Sequence, residues 1–240
     1  MASKQTTGPG HGRIDQDNTA PGPLEMDGLP MPRRIWAICA ISFGTALFVV
    51  DGAIANVALP TIARDLSVSN GAVTSVVTVY QLVMVMVLLP FATIGDRIGH
   101  RRLYQIGQVI FFLASAAALL IDSFWHLIAV RVLQSFGAGI ALAVSAAMLR
   151  TIYPAKSLGS GLGINSVIVA TSYAVAPTLG GFIVEHLDWR WVFVAAAPLA
   201  LISLAIGRFL PEPEPRSGRV DTISGLWSAL TALLLIGGLT

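Results

Sequence analysis

The sequence predicts an all-α polytopic membrane protein, a six-helix bundle followed by the start of a seventh helix. Three observations carry this. Hydrophobic residues make up 55% of the 240-residue chain and charged residues only 12%, against about 25% charged in a typical soluble domain. The mean hydropathy is +0.74. The apolar residues are gathered in long blocks with the charges between them, and a helix of about 20 residues crosses roughly 30 Å of hydrocarbon. Lipid offers no partner to a backbone N–H or C=O, so only helices or a closed barrel can span it. Barrel strands would be ~10 residues long and alternate in polarity; these blocks do not alternate.

Taken in order, residues 1–32 are rich in Gly, Pro, Asp and Thr without an apolar run, which predicts a disordered cytoplasmic tail. No short apolar region ends in a small-residue cleavage site, so the tail does not read as a signal peptide. Spanning helices are expected at 35–57, 71–94, 103–121, 125–149, 160–184 and 191–210, together a bundle over 33–210. The Pro-rich stretch 211–221 cannot continue a helix and reads as a cytoplasmic linker. A seventh apolar run, 222–240, ends the sequence and reads as a truncated spanning helix. An N-terminal piece of a larger protein is the simpler expectation, with a missing C-terminal half as partner.

Charge sets the orientation. Arg33 and Arg34, Arg97, Arg101 and Arg102, Arg150 and Lys156, and Arg208, Arg216 and Arg219 flank one set of helix ends, whereas the opposite set holds Arg64 and Arg190. This bias predicts a cytoplasmic N-terminus. The net charge of +2 is explained by the same pattern and needs no nucleic-acid partner. Membrane lipid, protons and a small-molecule substrate are the expected partners. Cys39 is the single cysteine, so no intrachain disulfide can form. No His, Cys or carboxylate set has metal-ligand spacing, no Gly-rich phosphate loop is present, and no nucleophile–base pair suggests an enzyme. No cofactor is expected beyond a proton gradient.

Ionisable groups inside the apolar blocks are the informative ones, since each is costly in the bilayer and marks a cavity or a partner. Two lie there, Asp51 in helix one and Arg131 in helix four. Asp51 is 17 positions past Arg34, roughly 25 Å from that end at 1.5 Å per residue. Arg131 is six positions past Trp125, roughly 9 Å from the opposite end. Both therefore fall in the outer half of the membrane, at depths that let them meet. They are either a proton- and substrate-coupling site or a fixed pair tying helix one to helix four. Asn56, Tyr80, Gln81, Gln134 and Asn165 are polar residues within spans that either line a cavity or bond neighbouring helices. The loop from Gly95 to Arg102 holds Asp96, Arg97, Gly99, Arg101 and Arg102, and is expected to cross about eight residues with Gly99 in a tight turn. Its charges serve either a conformational role or topology alone. In helix five, Ser172, Ala176, Pro177, Gly180 and Gly181 permit a close helix contact and a kink.

Several of these patches resemble the signatures of the major facilitator superfamily, and most nearly its fourteen-helix drug:proton antiporter branch. The resemblance covers 33–240. Ala92, Asp96, Arg97, Gly99, Arg101 and Arg102 are similar to the superfamily's helix two–three signature, with Ala92 in place of a Gly. Asp51 to Pro60 resembles the helix-one signature of the branch, with Ala53 in place of Thr. Arg131 to Gly139 resembles the helix-four signature, whose Arg is thought to assist proton transfer; Ser135 stands in place of a Gly. Ser172 to Gly181 resembles the exporter signature of helix five, in which Pro177, Gly180 and Gly181 match. The resemblance implies two six-helix bundles with two extra helices between them. It also implies proton-coupled efflux of amphipathic drugs or metabolites across the bacterial inner membrane. A truncated, non-transporting fragment and a solute importer of the same fold are the alternatives.

Overall fold

The computed structural model describes residues 28–212; the first 27 residues and the expected seventh helix lie outside the described residues. Helix α1 spans Arg33–Asp65, α2 Asn70–Ile98 and α3 His100–Ala117, the last extended by a 3-10 turn at Ala118–Leu120. Helix α4 spans Phe124–Ile152, and α5 Leu158–His186 follows a 3-10 turn at Ala155–Ser157. The last crossing is α6, Trp191–Val194, then α7, Ala197–Ile206, and a 3-10 turn at Gly207–Phe209. Six segments are long and apolar enough to cross a membrane.

The helices start and stop for local reasons. Ser69 Oγ accepts from Ala72 N (3.1 Å) at the start of α2, and Ser123 Oγ from His126 N (3.4 Å) at the start of α4; each satisfies an end donor. Helix α1 was expected to stop at residue 57 but continues through Pro60 to Asp65. Its 33 residues reach about 50 Å, well beyond the hydrocarbon, so its last turns carry polar Thr61, Arg64 and Asp65 without leaving the helix. The corner between α2 and α3 is a single residue rather than an eight-residue loop. Gly99 has φ +103°, its N–H donates to Gly95 O (3.0 Å) and its carbonyl accepts from Leu103 N (3.1 Å). A side chain at that φ would be strained. The sixth span, expected unbroken, is interrupted at Ala195–Ala196. Pro198 sits in the first turn of α7, where its missing N–H costs nothing.

The six spans pack as two interlocked triplets. Helix α1 packs chiefly on α5 and α7, whereas α4 packs chiefly on α2 and α3. The first helix of each triplet thus finds its main partners in the second and third spans of the other, so neither triplet completes a core alone. The α3–α4 contact is backbone to backbone: a Cβ on Gly107 would lie 2.5 Å from Gly137 O, and one on Gly137 2.6 Å from Gly107 O. Small residues permit such approach in lipid. One end of the bundle gathers Arg33, which donates to Phe209 O (3.1 Å), Leu29 N, which donates to Ile152 O (3.1 Å), and an Arg102–Glu212 ion pair (3.5 Å). The other end gathers Trp189 Nε1, which donates to Asp65 (2.8 Å), and Arg190 Nε, which donates to Ile121 O (2.6 Å).

A neutral polar cluster ties α1, α3 and α7 together. The Tyr104 hydroxyl lies 3.0 Å from Ala40 O and 2.9 Å from Ser203 Oγ. Gln108 Nε2 donates to Ser203 Oγ (2.9 Å), and Ser203 Oγ donates to Ala40 O (2.8 Å).

Candidate functional site

Midway along α1, Asp51 is fully buried and accepts from Arg131 Nη1 of α4 at 2.9 Å. The two membrane-embedded charges singled out in the sequence therefore meet. Arg131 Nη1 also donates to Gln134 Oε1 (3.1 Å), three residues along the same helix face. Gln134 Nε2 in turn donates to Ser115 Oγ of α3 (2.9 Å) and to the Phe193 carbonyl of α6 (3.1 Å). Two rings flank the guanidinium: its Cζ lies 3.9 Å from the centroid of Tyr80 and 5.2 Å from that of Phe193. Such stacking offsets part of the cost of a desolvated cation. The cluster draws one or more side chains from α1, α2, α3, α4 and α6.

The pair is not fully satisfied. Asp51 Oδ1, the Tyr80 hydroxyl, and Arg131 Nε and Nη2 are buried with no hydrogen-bond partner among the described residues. Buried polar atoms are nearly always paired, so four open atoms in one cluster mark it out.

Beside the cluster is a cavity of about 520 Å³ between α1, α2, α4 and α5. Asn56, Tyr80, Gln81, Tyr173 and Pro177 line it together with apolar side chains such as Phe48 and Met84. None of its lining residues carries a charge. Asp51 and Arg131 do not reach it; Tyr80 belongs both to the cavity wall and to the ion-pair cluster.

Of the expected cavity residues, Asn56, Tyr80 and Gln81 line it. The other two do not line it, and Gln134 takes the alternative of bonding neighbouring helices. Gln134 is fully buried in the ion-pair network, because its spacing from Arg131 puts both on one helix face. Asn165 lies on α5 outside the cavity wall, three turns before Pro177. In the helix-five patch, Pro177 lines the cavity. A Cβ on Gly180 would lie 3.0 Å from Ile54 Cγ1, marking the α1–α5 approach, whereas one on Gly181 would meet nothing within 4 Å. The charged corner forms a separate group at one end of the bundle. Asp96 sits in the last turn of α2 facing His100 (3.4 Å). Arg102 pairs with Glu212, and neither Arg97 nor Arg101 has an ion-pair partner among the described residues. Ser115, Phe193, Phe48, Met84 and Tyr173 join the site without having been singled out. Serine and aromatics are ordinary in apolar helices, and only packing selects these.

Comparison with known proteins agrees with this architecture. The chain is 44% identical over 220 residues to the uncharacterized transporter YebQ of Escherichia coli, covering 90% of this chain and 48% of that protein. It is 33% identical to the riboflavin transporter RibZ of Clostridioides difficile, over 86% of this chain and 46% of that protein. It is 32% identical to the methyl viologen resistance protein SmvA of Salmonella typhimurium, over 78% of this chain and 38% of that protein. The chain thus spans about half the length of these relatives or less. Among solved structures, the fold matches the proton:xylose symporter XylE with a TM-score of 0.63 at 17% identity, over 85% of this chain and 52% of that one. The family model of the Major Facilitator Superfamily matches residues 41–239, and this chain, with six segments long and apolar enough to cross a membrane, is a multi-pass membrane protein that belongs to this superfamily.

Proposed function

We propose that this chain is the N-terminal bundle of a proton-coupled exporter of amphipathic drugs or metabolites in the bacterial inner membrane. The observation that carries this reading is the buried Asp51–Arg131 pair, with open hydrogen-bonding atoms, separated by one side chain from an uncharged, aromatic-lined cavity. Ionisable residues at membrane depth commonly serve proton pathways. A proton on Asp51 cancels its attraction for Arg131, which frees the guanidinium and weakens the α1–α4 tie. Proton entry at this point therefore has a structural consequence. The gradient supplies ~2.3 kcal/mol per charge per 100 mV, enough for one or two protons to concentrate a substrate many-fold.

Orientation follows from the helix ends. Arg33, Arg34, Arg97, Arg101, Arg102, Arg150, Lys156 and Arg208 flank one end of the bundle, and Arg64 and Arg190 the other; the basic end is assigned to the cytoplasm. Alternating access rocks one bundle against another around a midplane site, so the activity is assigned to this bundle together with a second one.

The test is ethidium accumulation in an efflux-deficient bacterium expressing the full-length transporter, with and without a proton uncoupler. Lower accumulation that the uncoupler restores, and that Asp51→Asn abolishes, is expected. Efflux retained by Asp51→Asn would refute the assignment. A solute transporter of the same fold is the second reading, favoured by the resemblance to a riboflavin transporter; riboflavin uptake unaffected by the chain's deletion would remove it.

A further inference from the structure

We propose that Tyr80 relays the proton between the cavity and Asp51. This rests on the proton-coupled reading above and names the residue through which coupling passes. Asp51 is completely shielded and does not line this cavity, so a proton from cavity water needs an intermediary. Tyr80 is the side chain in position. It lines the cavity, is 99% shielded at its own surface, being only 1% exposed, and stacks on Arg131 at 3.9 Å. Its ring lies along α1 next to Asp51, since a Cβ on Gly52 would meet Tyr80 Cε1 at 3.6 Å. Its hydroxyl lies beside the Asp51 carboxylate, and both the hydroxyl and Asp51 Oδ1 are buried without another hydrogen-bond partner among the described residues.

No other polar residue of the cavity is so placed. Asn56 Nδ2 is turned onto the backbone of its own helix, at Gly52 O (3.4 Å) and Ala53 O (3.2 Å). Tyr173 is 58% exposed on α5. Gln81 also lines the cavity but is exposed, whereas Gln134, outside the cavity wall, is held by Ser115 and the Phe193 carbonyl. The charged and titratable groups facing Asp51 and Tyr80 are Arg131 from α4 and Tyr173 from α5; α3 and α6 present Ser115 and Phe193, which do not titrate.

A phenol both donates and accepts, so the step balances without a charged tyrosine. A hydronium that enters from the cavity as far as the buried phenol oxygen gives it a proton as the phenol's own O–H proton passes to Asp51 Oδ1. One O–H bond breaks and one forms at the tyrosine, which begins and ends neutral. The carboxylate becomes a carboxylic acid, and Arg131 loses its counter-charge. In the opposite half-cycle the same two bonds exchange in reverse.

Tyr80→Phe isolates the hydroxyl, because the ring over Arg131 and the cavity wall are kept. Since the hydroxyl has no partner, its removal orphans no other group, so a purely structural tyrosine predicts no loss of function. The experiment uses the full-length transporter in proteoliposomes with ethidium as probe. It measures ethidium binding, proton release on ethidium addition, and transport kcat and KM. Wild-type binding and KM with proton release and kcat slowed about 10²-fold, the size of a lost proton-transfer group, is the expected result. Proton release and kcat at wild-type rates in Tyr80→Phe would overturn the relay while leaving proton coupling intact. A wild type whose transport ignores the uncoupler would overturn both, and Asp51→Asn, run in parallel, tells these cases apart. Should Tyr80→Phe unfold, Tyr80→Trp, whose indole N–H donates but cannot accept a proton, is measured in its place; proton release slowed as for Tyr80→Phe is expected, and release at the wild-type rate would overturn the relay.

Discussion

The Asp51–Arg131 cluster and the Tyr104–Gln108–Ser203 cluster are both buried in the same bundle, and each joins helices from the two triplets. They differ in what they leave open. In the neutral cluster the Tyr104 and Ser203 hydroxyls and the Gln108 amide close on each other and on Ala40 O, with only Gln108 Oε1 unpartnered. The charged cluster leaves four atoms open and borders a cavity through Tyr80. A satisfied network rigidifies, and a partly satisfied one carries unspent hydrogen-bonding capacity. The neutral cluster is a fastening, and the charged one keeps atoms open to a further partner.

The largest expected effect comes from stripping the charge pair of one member. Arg131→Met leaves a buried carboxylate with no cation, and such removals cost about 3–5 kcal/mol; thermal unfolding in detergent reads this. Adding Asp51→Asn to the same chain should recover most of the loss. A single variant as stable as wild type would mean that Asp51 is already neutral in the folded protein, and the contrast would then be between two uncharged clusters.

A smaller effect separates the clusters by packing. In Gly44→Ala the new methyl meets the Tyr104 hydroxyl and lies 2.8 Å from Gln108 Nε2; overpacking of this kind costs about 1–3 kcal/mol. In Gly52→Ala the nearest atom is Tyr80 Cε1 at 3.6 Å, an ordinary contact. The melting temperature should fall for the first and hold for the second. Equal losses would show the charged cluster to be as tightly set as the neutral one.

The finest cut removes one oxygen from each. Tyr104→Phe deletes a bonded hydroxyl and should cost about 1 kcal/mol. Tyr80→Phe deletes an unpartnered one and should leave stability unchanged or slightly raised. A stability loss at residue 80 matching that at 104 would show that the Tyr80 hydroxyl is bonded in the folded protein, and the contrast between a closed cluster and an open one would fail at that residue.

Much of this was legible in sequence. Spans are dictated by hydrophobic thickness, so all six were found, and the depths of Asp51 and Arg131 followed from helix rise. The ends of the spans were less legible, because hydropathy marks where lipid stops and not where hydrogen bonding stops. Helix α1 therefore runs eight residues past the expected Val57, to Asp65. For Gln134 cavity lining and helix bonding stood equally open, although its three-residue spacing from Arg131 carried the signal for the second. Ser115 and Phe193 gave none, since which side chains meet across helices is decided by packing. That Tyr80 lies in a span was visible; that it seals Asp51 from the cavity depends on the approach of α2 to Gly52.

Gly99 ends α2 and begins α3 with no residue to spare between them. Most helix corners have slack, so a shift in one helix is absorbed before it reaches the next. Here one backbone unit is hydrogen-bonded to both neighbours, so a tilt of α2 must turn α3 with it. The two helices behave as a bent lever whose elbow sits at the Arg102–Glu212 pair, and a residue inserted there would disconnect the arms.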